Sequence, residues 1–235
     1  MPGSDYTWSV LRQPRRTCFA LDTQGFMDTF LTVVLLALGG YALKSKSERR
    51  RMALLARHLG EFDIEKMMGS LNEGYLRALG ESDHLRRDAI WHVLLTTETR
   101  LSEQLQQLAA GFAKLPALPT RVSRLPWPLS VASLSLAPLL PGVLARTSFD
   151  MRELLALHAH AIGAAARNEQ GLSPRDKAFK ISAELFLMQH SCHWFCRSRG
   201  IASARLQVRH QNSYAKVLDS VAPATRRAYL ALVGA

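Results

Sequence analysis

Three cysteines in 235 residues are too few for a disulfide framework, which removes the small disulfide-stapled folds. Phosphate-binding glycine loops, G-x-S-x-G elbows, HExxH and CxxC pairs are all absent. So is the strand alternation of an α/β enzyme. The chain is therefore read as non-catalytic. Acidic residues are also scarce: 19 Asp and Glu stand against 30 Lys and Arg, a formal net charge of +11. A 48% hydrophobic fraction with 21% charged residues is nevertheless that of a globular chain.

Charge is missing from one long run near the start. Gly25–Leu43 reads GFMDTFLTVVLLALGGYAL, with Asp28 as its only charge. At 1.5 Å per helical residue it reaches roughly 28 Å, about the hydrocarbon thickness of a bilayer. Phe30, Leu31, Val33, Val34, Leu35, Leu36 and Leu38 are its candidate lipid-facing residues. Lys44, Lys46, Arg49, Arg50 and Arg51 follow against a single Glu48, and such a flank stays on the cytoplasmic side. The expectation is a single-pass anchor in the cell inner membrane, with the C-terminal domain cytoplasmic. A buried core helix or a signal-peptide segment is the competing reading.

Residues 1–24 carry no periodicity and are expected to be an unstructured extension. Arg15–Arg16 ahead of an apolar run admits a twin-arginine export reading, which the basic stop-transfer flank opposes. Met27 is an alternative natural start, with residues 1–26 lying upstream of it.

From residue 44 the signals are helical. The anchor helix is expected to continue to Leu59, with Gly60 ending it. A second helix runs from Asp63 to about Leu79, and a third from Ser82 or Asp83 to Leu115. In the third, Leu94, Leu101, Leu108 and Leu115 recur every seven residues. Trp91, Leu105 and Phe112 form a second row that Glu98 interrupts. This stripe serves either dimerisation and partner docking or packing on helices of the same chain. The short turns at Gly60 and Gly80 favour packing within the chain.

Residues 116–147 hold six of the ten prolines, which forbid a continuous helix. This is the expected connector between a proximal part, 44–115, and a distal domain, 148–235. Leu125–Ala145 has no charge, which admits a second span or re-entrant loop. Its prolines and serines would leave backbone groups unsatisfied in lipid, which favours shallow contact with the membrane face or packing over the helical core.

In the distal part Asp150 with Glu153 resembles a capping box, and Ser173–Pro174 supplies a cap and a first-turn proline. The helix from Pro174 to about Ser198 is apolar on nearly every face, the signature of a central element. Gly200 is expected to end it. Glu184, its only charge between Ile181 and Cys196, is read as paired with an arginine of a neighbouring helix. Ala202–Leu218 is basic and amphipathic, and Pro223 opens a last helix.

Cys192, His193 and Cys196 share one face of the central helix. His158 or His160 would be a fourth ligand, and zinc would suit such a set. The spacing matches no standard zinc signature, so buried core residues are the simpler reading. Arg197, Arg199, Arg205, Arg209 and Lys216 make a basic surface for anionic lipid or an acidic partner, with nucleic acid a less favoured third. The expectation is thus an all-α fold: one transmembrane helix, then a cytoplasmic helical bundle with a proline-rich connector. No cofactor is implied beyond that possible metal. The expected role is a scaffold or interaction component whose partners are membrane lipids and an unidentified protein or a second copy of the chain.

Overall fold

The computed structural model describes residues 23–125 and 141–234. Most of the expected extension 1–24, the Arg15–Arg16 pair and most of the uncharged stretch after Leu125 lie outside the described residues. The fold is helical, and the chain divides between Gly39 and Gly40 into two units.

Helix α1, Thr23–Leu59, crosses that division. In the first unit Met27, Phe30, Leu31, Val33, Leu35, Leu36 and Leu38 are each 52–72% exposed, and Val34 is half-buried. Among the described residues, α1 is the one helix long and apolar enough to cross a membrane.

The second unit begins with the rest of α1. Gly60 follows Leu59, and its N–H donates to the Ala56 carbonyl to close the helix end. Next come α2, Ile64–Gly80, and α3, His84–Ala113. Asp83 starts α3 by accepting from the N–H groups of Leu85 and Arg86, satisfying two of its orphan donors. Asp63 occupies the corresponding place before α2 but makes no such bond. Gly74 has a positive use: a Cβ there would come within 2.4 Å of Leu94, so its bareness lets α2 lie close on α3.

The heptad stripe of α3 is spent inside the chain. Leu101, Leu105 and Phe112 are fully buried, Leu94 and Leu108 nearly so, and Trp91 is half-buried against the same core. Their neighbours are α2 on one side and α6, Met151–Ala166, on the other. Glu98, the polar interruption, is also buried. It accepts from the Tyr75 hydroxyl at 2.7 Å and faces the Lys177 ammonium at 2.6 Å, tying α2 and α3 to the helix that carries Lys177.

The proline-rich region contains structure that its composition conceals. A single turn α4, Ala117–Thr120, leads into strand β1, Arg121–Ser123. After α5, Pro141–Thr147, strand β2, Ser148–Asp150, returns antiparallel to it with Val122 opposite Phe149. Thr120 donates to the buried Asp150 carboxylate, which Arg152 grips at 2.6 Å. Burial alone would raise the Asp150 carboxyl, but these partners hold it below its ordinary value. Two three-residue strands are too short to leave an alternating pattern.

Helix α7, Pro174–Cys196, is the central element, packed by α6 and by the two helices that follow it. Ser173 caps it, accepting from the Asp176 N–H. Gly200 does not end this helix. Arg197 breaks it with φ −132° and ψ −94°, and Ser198 caps α8, Arg199–His210, whose first turn contains Gly200. The basic segment expected as one amphipathic stretch is two helices. Gln211 takes a left-handed φ of 52°, and Ser213 then caps α9, Tyr214–Ser220. The last helix, α10, is Pro223–Val233. Glu184 makes no arginine pair: its carboxylate accepts from the Ala222 N–H at 2.9 Å, capping α10 from α7. The two stretches 44–115 and 148–235 share one core.

Candidate functional site

Among the described residues, the second unit has a cleft of about 930 Å³. Its walls are the start of that unit's share of α1, the α4–β1 corner, and the junction of α7 with α8. Lys44, Lys46, Arg50 and Arg51 enter from α1, Arg124 from the end of β1, and Arg197 and Arg199 from the α7–α8 junction. Among the described residues, Glu48 is the one carboxylate in the lining. The sequence separates these cations by up to about 150 positions, and only folding gathers them.

Five of these cations have contacts that position them. Glu48, nearly buried, accepts from Arg197 at 2.8 Å and has Lys44 at 3.8 Å. Arg51 donates to the Arg121 carbonyl at 2.8 Å and lies over the Phe195 ring, joining α1, β1 and α7. Burial lowers its guanidinium below the ordinary arginine value. Arg124 donates to the Leu232 carbonyl at 2.8 Å and the Arg146 carbonyl at 3.0 Å. That places a cation at the C-terminal end of α10, where the helix dipole favours one. Gly234 there has φ +68°, and a Cβ would stand 2.9 Å from the Arg124 guanidinium. Arg199 lies 5.5 Å from the Trp194 ring centroid and 5.2 Å from that of Tyr214. Lys46 and Arg50 are exposed at the rim. The floor is apolar, formed by Leu43, Leu54, Leu118, Val122 and Leu125.

The basic flank and basic surface named from sequence thus meet only in part. Lys44, Lys46, Arg50 and Arg51 join Arg197 and Arg199 in the cleft. Arg49 is exposed but does not line it. Arg205 and Arg209 stand on α8 beside a shallower hollow of about 440 Å³ that includes His193 and Val208. Lys216 is exposed on α9 and lines neither. Arg124 is the residue that sequence reasoning missed, since it lies in the proline-rich stretch away from both clusters of positive charge.

The candidate metal ligands go different ways. His158 is fully buried, its Nε2 2.8 Å from the Ser191 hydroxyl oxygen, and burial pushes its pKa down to about 3. Burial pushes the Cys192 thiol up to about 12 and raises Cys196 as well, opposing the thiolate a metal needs. His193 has Arg205 3.5 Å from its Nδ1, and burial with Arg205 and Arg209 lowers its pKa. Among the described residues no three His, Cys, Asp or Glu side chains converge on a metal position.

Compared with protein-family models, characterised proteins and solved structures, the chain has no match, so its function rests on its own residues.

Proposed function

We propose that the chain is a single-pass inner-membrane protein in which Gly25–Leu43 is the span and residues beyond Lys44 form a cytoplasmic helical bundle. Its role is that of a non-catalytic interaction component, and its contact surface is the basic cleft rather than the heptad stripe of α3. The observation that carries this reading is the junction within α1. An apolar stretch whose large side chains are exposed gives way at Lys44 to residues that line a cleft rich in cations. Leaving that much apolar surface in water is costly, at about 25 cal/mol per Å², and lipid is the medium that removes the cost. The cationic flank then selects the cytoplasmic side.

Carbonate extraction and C-terminal reporter fusions test it. The protein should stay in the alkaline-washed membrane pellet. A C-terminal fluorescent fusion should be bright, and a C-terminal alkaline phosphatase fusion inactive. Release into the supernatant, or an active phosphatase fusion, sinks the reading.

A further inference from the structure

Resting on that membrane-anchored reading, we propose that the basic cleft is a binding site for an anionic glycerophospholipid. The headgroup phosphate sits among the cations, and the start of an acyl chain lies along the apolar floor.

The charge arrangement asks for an anion. Among the described residues, seven cations and one carboxylate line the cleft. Arg51 and Arg124 donate to carbonyl oxygens, which hold the guanidinium groups in place without cancelling their charge. Helix α8 adds its N-terminus, at Ser198, Arg199 and Gly200, with no acidic residue in its first turn.

The apolar floor narrows the class. A free phosphate has no use for the surface of Leu43, Leu118, Val122 and Leu125, and about 930 Å³ far exceeds what it fills. Single-stranded nucleic acid needs exposed aromatic faces for stacking. The one aromatic residue in the lining, Trp194, is 3% exposed and already has Arg199 over its ring. A molecule with an anionic head and an apolar body matches both halves of the cleft. Leu43 and Lys44 line it, and they are the last residue of the apolar run and the first of the basic flank.

The test uses the full-length protein, delipidated in mild detergent, with short-chain phosphatidylglycerol, short-chain phosphatidylcholine, inorganic phosphate and a single-stranded oligonucleotide as separate probes. Binding is read by native mass spectrometry and by thermal shift. Phosphatidylglycerol should bind and raise the melting temperature, while phosphatidylcholine and phosphate should not. Lys46→Ser combined with Arg50→Ser, both exposed and neither anchored in the core, should weaken phosphatidylglycerol binding about 30-fold. Arg49→Ser removes the same charge from the same flank outside the cleft and should leave binding unchanged. Equal loss in Arg49→Ser means general surface attraction and overturns the proposal. So does equal binding of phosphatidylcholine, saturation by phosphate alone, or tighter binding of the oligonucleotide. Carbonate extraction of the membranes from which the protein is purified separates the two claims. A protein that stays in the membrane but shows no phosphatidylglycerol preference loses the lipid site and keeps the anchor. One that is released loses the anchor.

Discussion

Two histidines are buried without room for a charge. His158 Nε2 faces the Ser191 oxygen, whose own hydrogen goes to the Leu187 carbonyl, while its Nδ1 has no hydrogen-bond partner. His190 has Ser203 on Nε2 and Trp194 and Tyr214 at its ring, and its Nδ1 is likewise unpartnered. Burial lowers His190 to about 4, helped by Arg199 and His193, and His158 to about 3. Both folded values lie below the unfolded histidine value near 6.5, so below that pH the unfolded chain binds more protons and stability falls as pH drops. The loss between pH 7 and 5 should be about 4 kcal/mol for the pair. Urea midpoints measured across that range check this, and a flat profile refutes it. At Glu98 the concern is a partner. Lys177→Met leaves a buried carboxylate with only Tyr75, and the protein should lose about 3 kcal/mol by urea denaturation. A loss below about 0.5 kcal/mol would mean that the pair carries no weight.

At the scale of elements, the second unit is held together by side chains that reach carbonyls or N–H groups of a distant element. Arg51 ties α1 to β1 and α7, Arg124 ties β1 to α10, and Glu184 ties α7 to α10. Arg51→Met should therefore cost about 2 kcal/mol in chemical denaturation, whereas exposed Arg49→Ala should stay within about 0.5 kcal/mol. Equal effects would place Arg51 among ordinary surface charges. Glu184→Gln keeps an oxygen for the Ala222 N–H and removes a carboxyl whose pKa burial raises. It should be close to neutral at pH 7, while Glu184→Ala, which orphans that N–H, should cost about 1 to 3 kcal/mol. Comparable losses in both variants would show that the carboxylate charge itself matters. Helix caps of this kind are partly readable in a sequence. Asp83 and Ser173 sit where local rules put a cap, because capping is settled within three residues. Glu184 capping a helix 38 residues away obeys no local rule.

For the whole molecule, the outcome turns on which apolar surface is covered by protein. The apolar faces of α3 and α7 are covered; those of the first part of α1 are not. Leu36, 72% exposed, makes no demand on the core. Leu36→Arg should cost about 3 kcal/mol on membrane insertion yet leave the unfolding midpoint of the remaining helices unchanged. Membrane fractionation and circular dichroism on one preparation read both. An unfolding midpoint that falls along with insertion would mean that Leu36 serves the fold.

The helical character, the long apolar segment, the basic run after it, and the heptad spacing of the α3 stripe were all legible in the sequence. Each depends on a periodicity or composition within one element, and hydrophobic burial acts on such patterns directly. The tertiary structure alone decided that the α3 stripe packs on its own chain, that a strand pair closes the proline-rich region, and that Glu98 has Tyr75 and Lys177 for company. It also decided that Lys46, Arg124 and Arg199 line one cleft. Residues so far apart in the chain leave no shared local pattern. Their meeting is set by how α1, β1 and α7 are tied together, and electrostatic chemistry depends on distances of a few ångströms that only the packed fold defines.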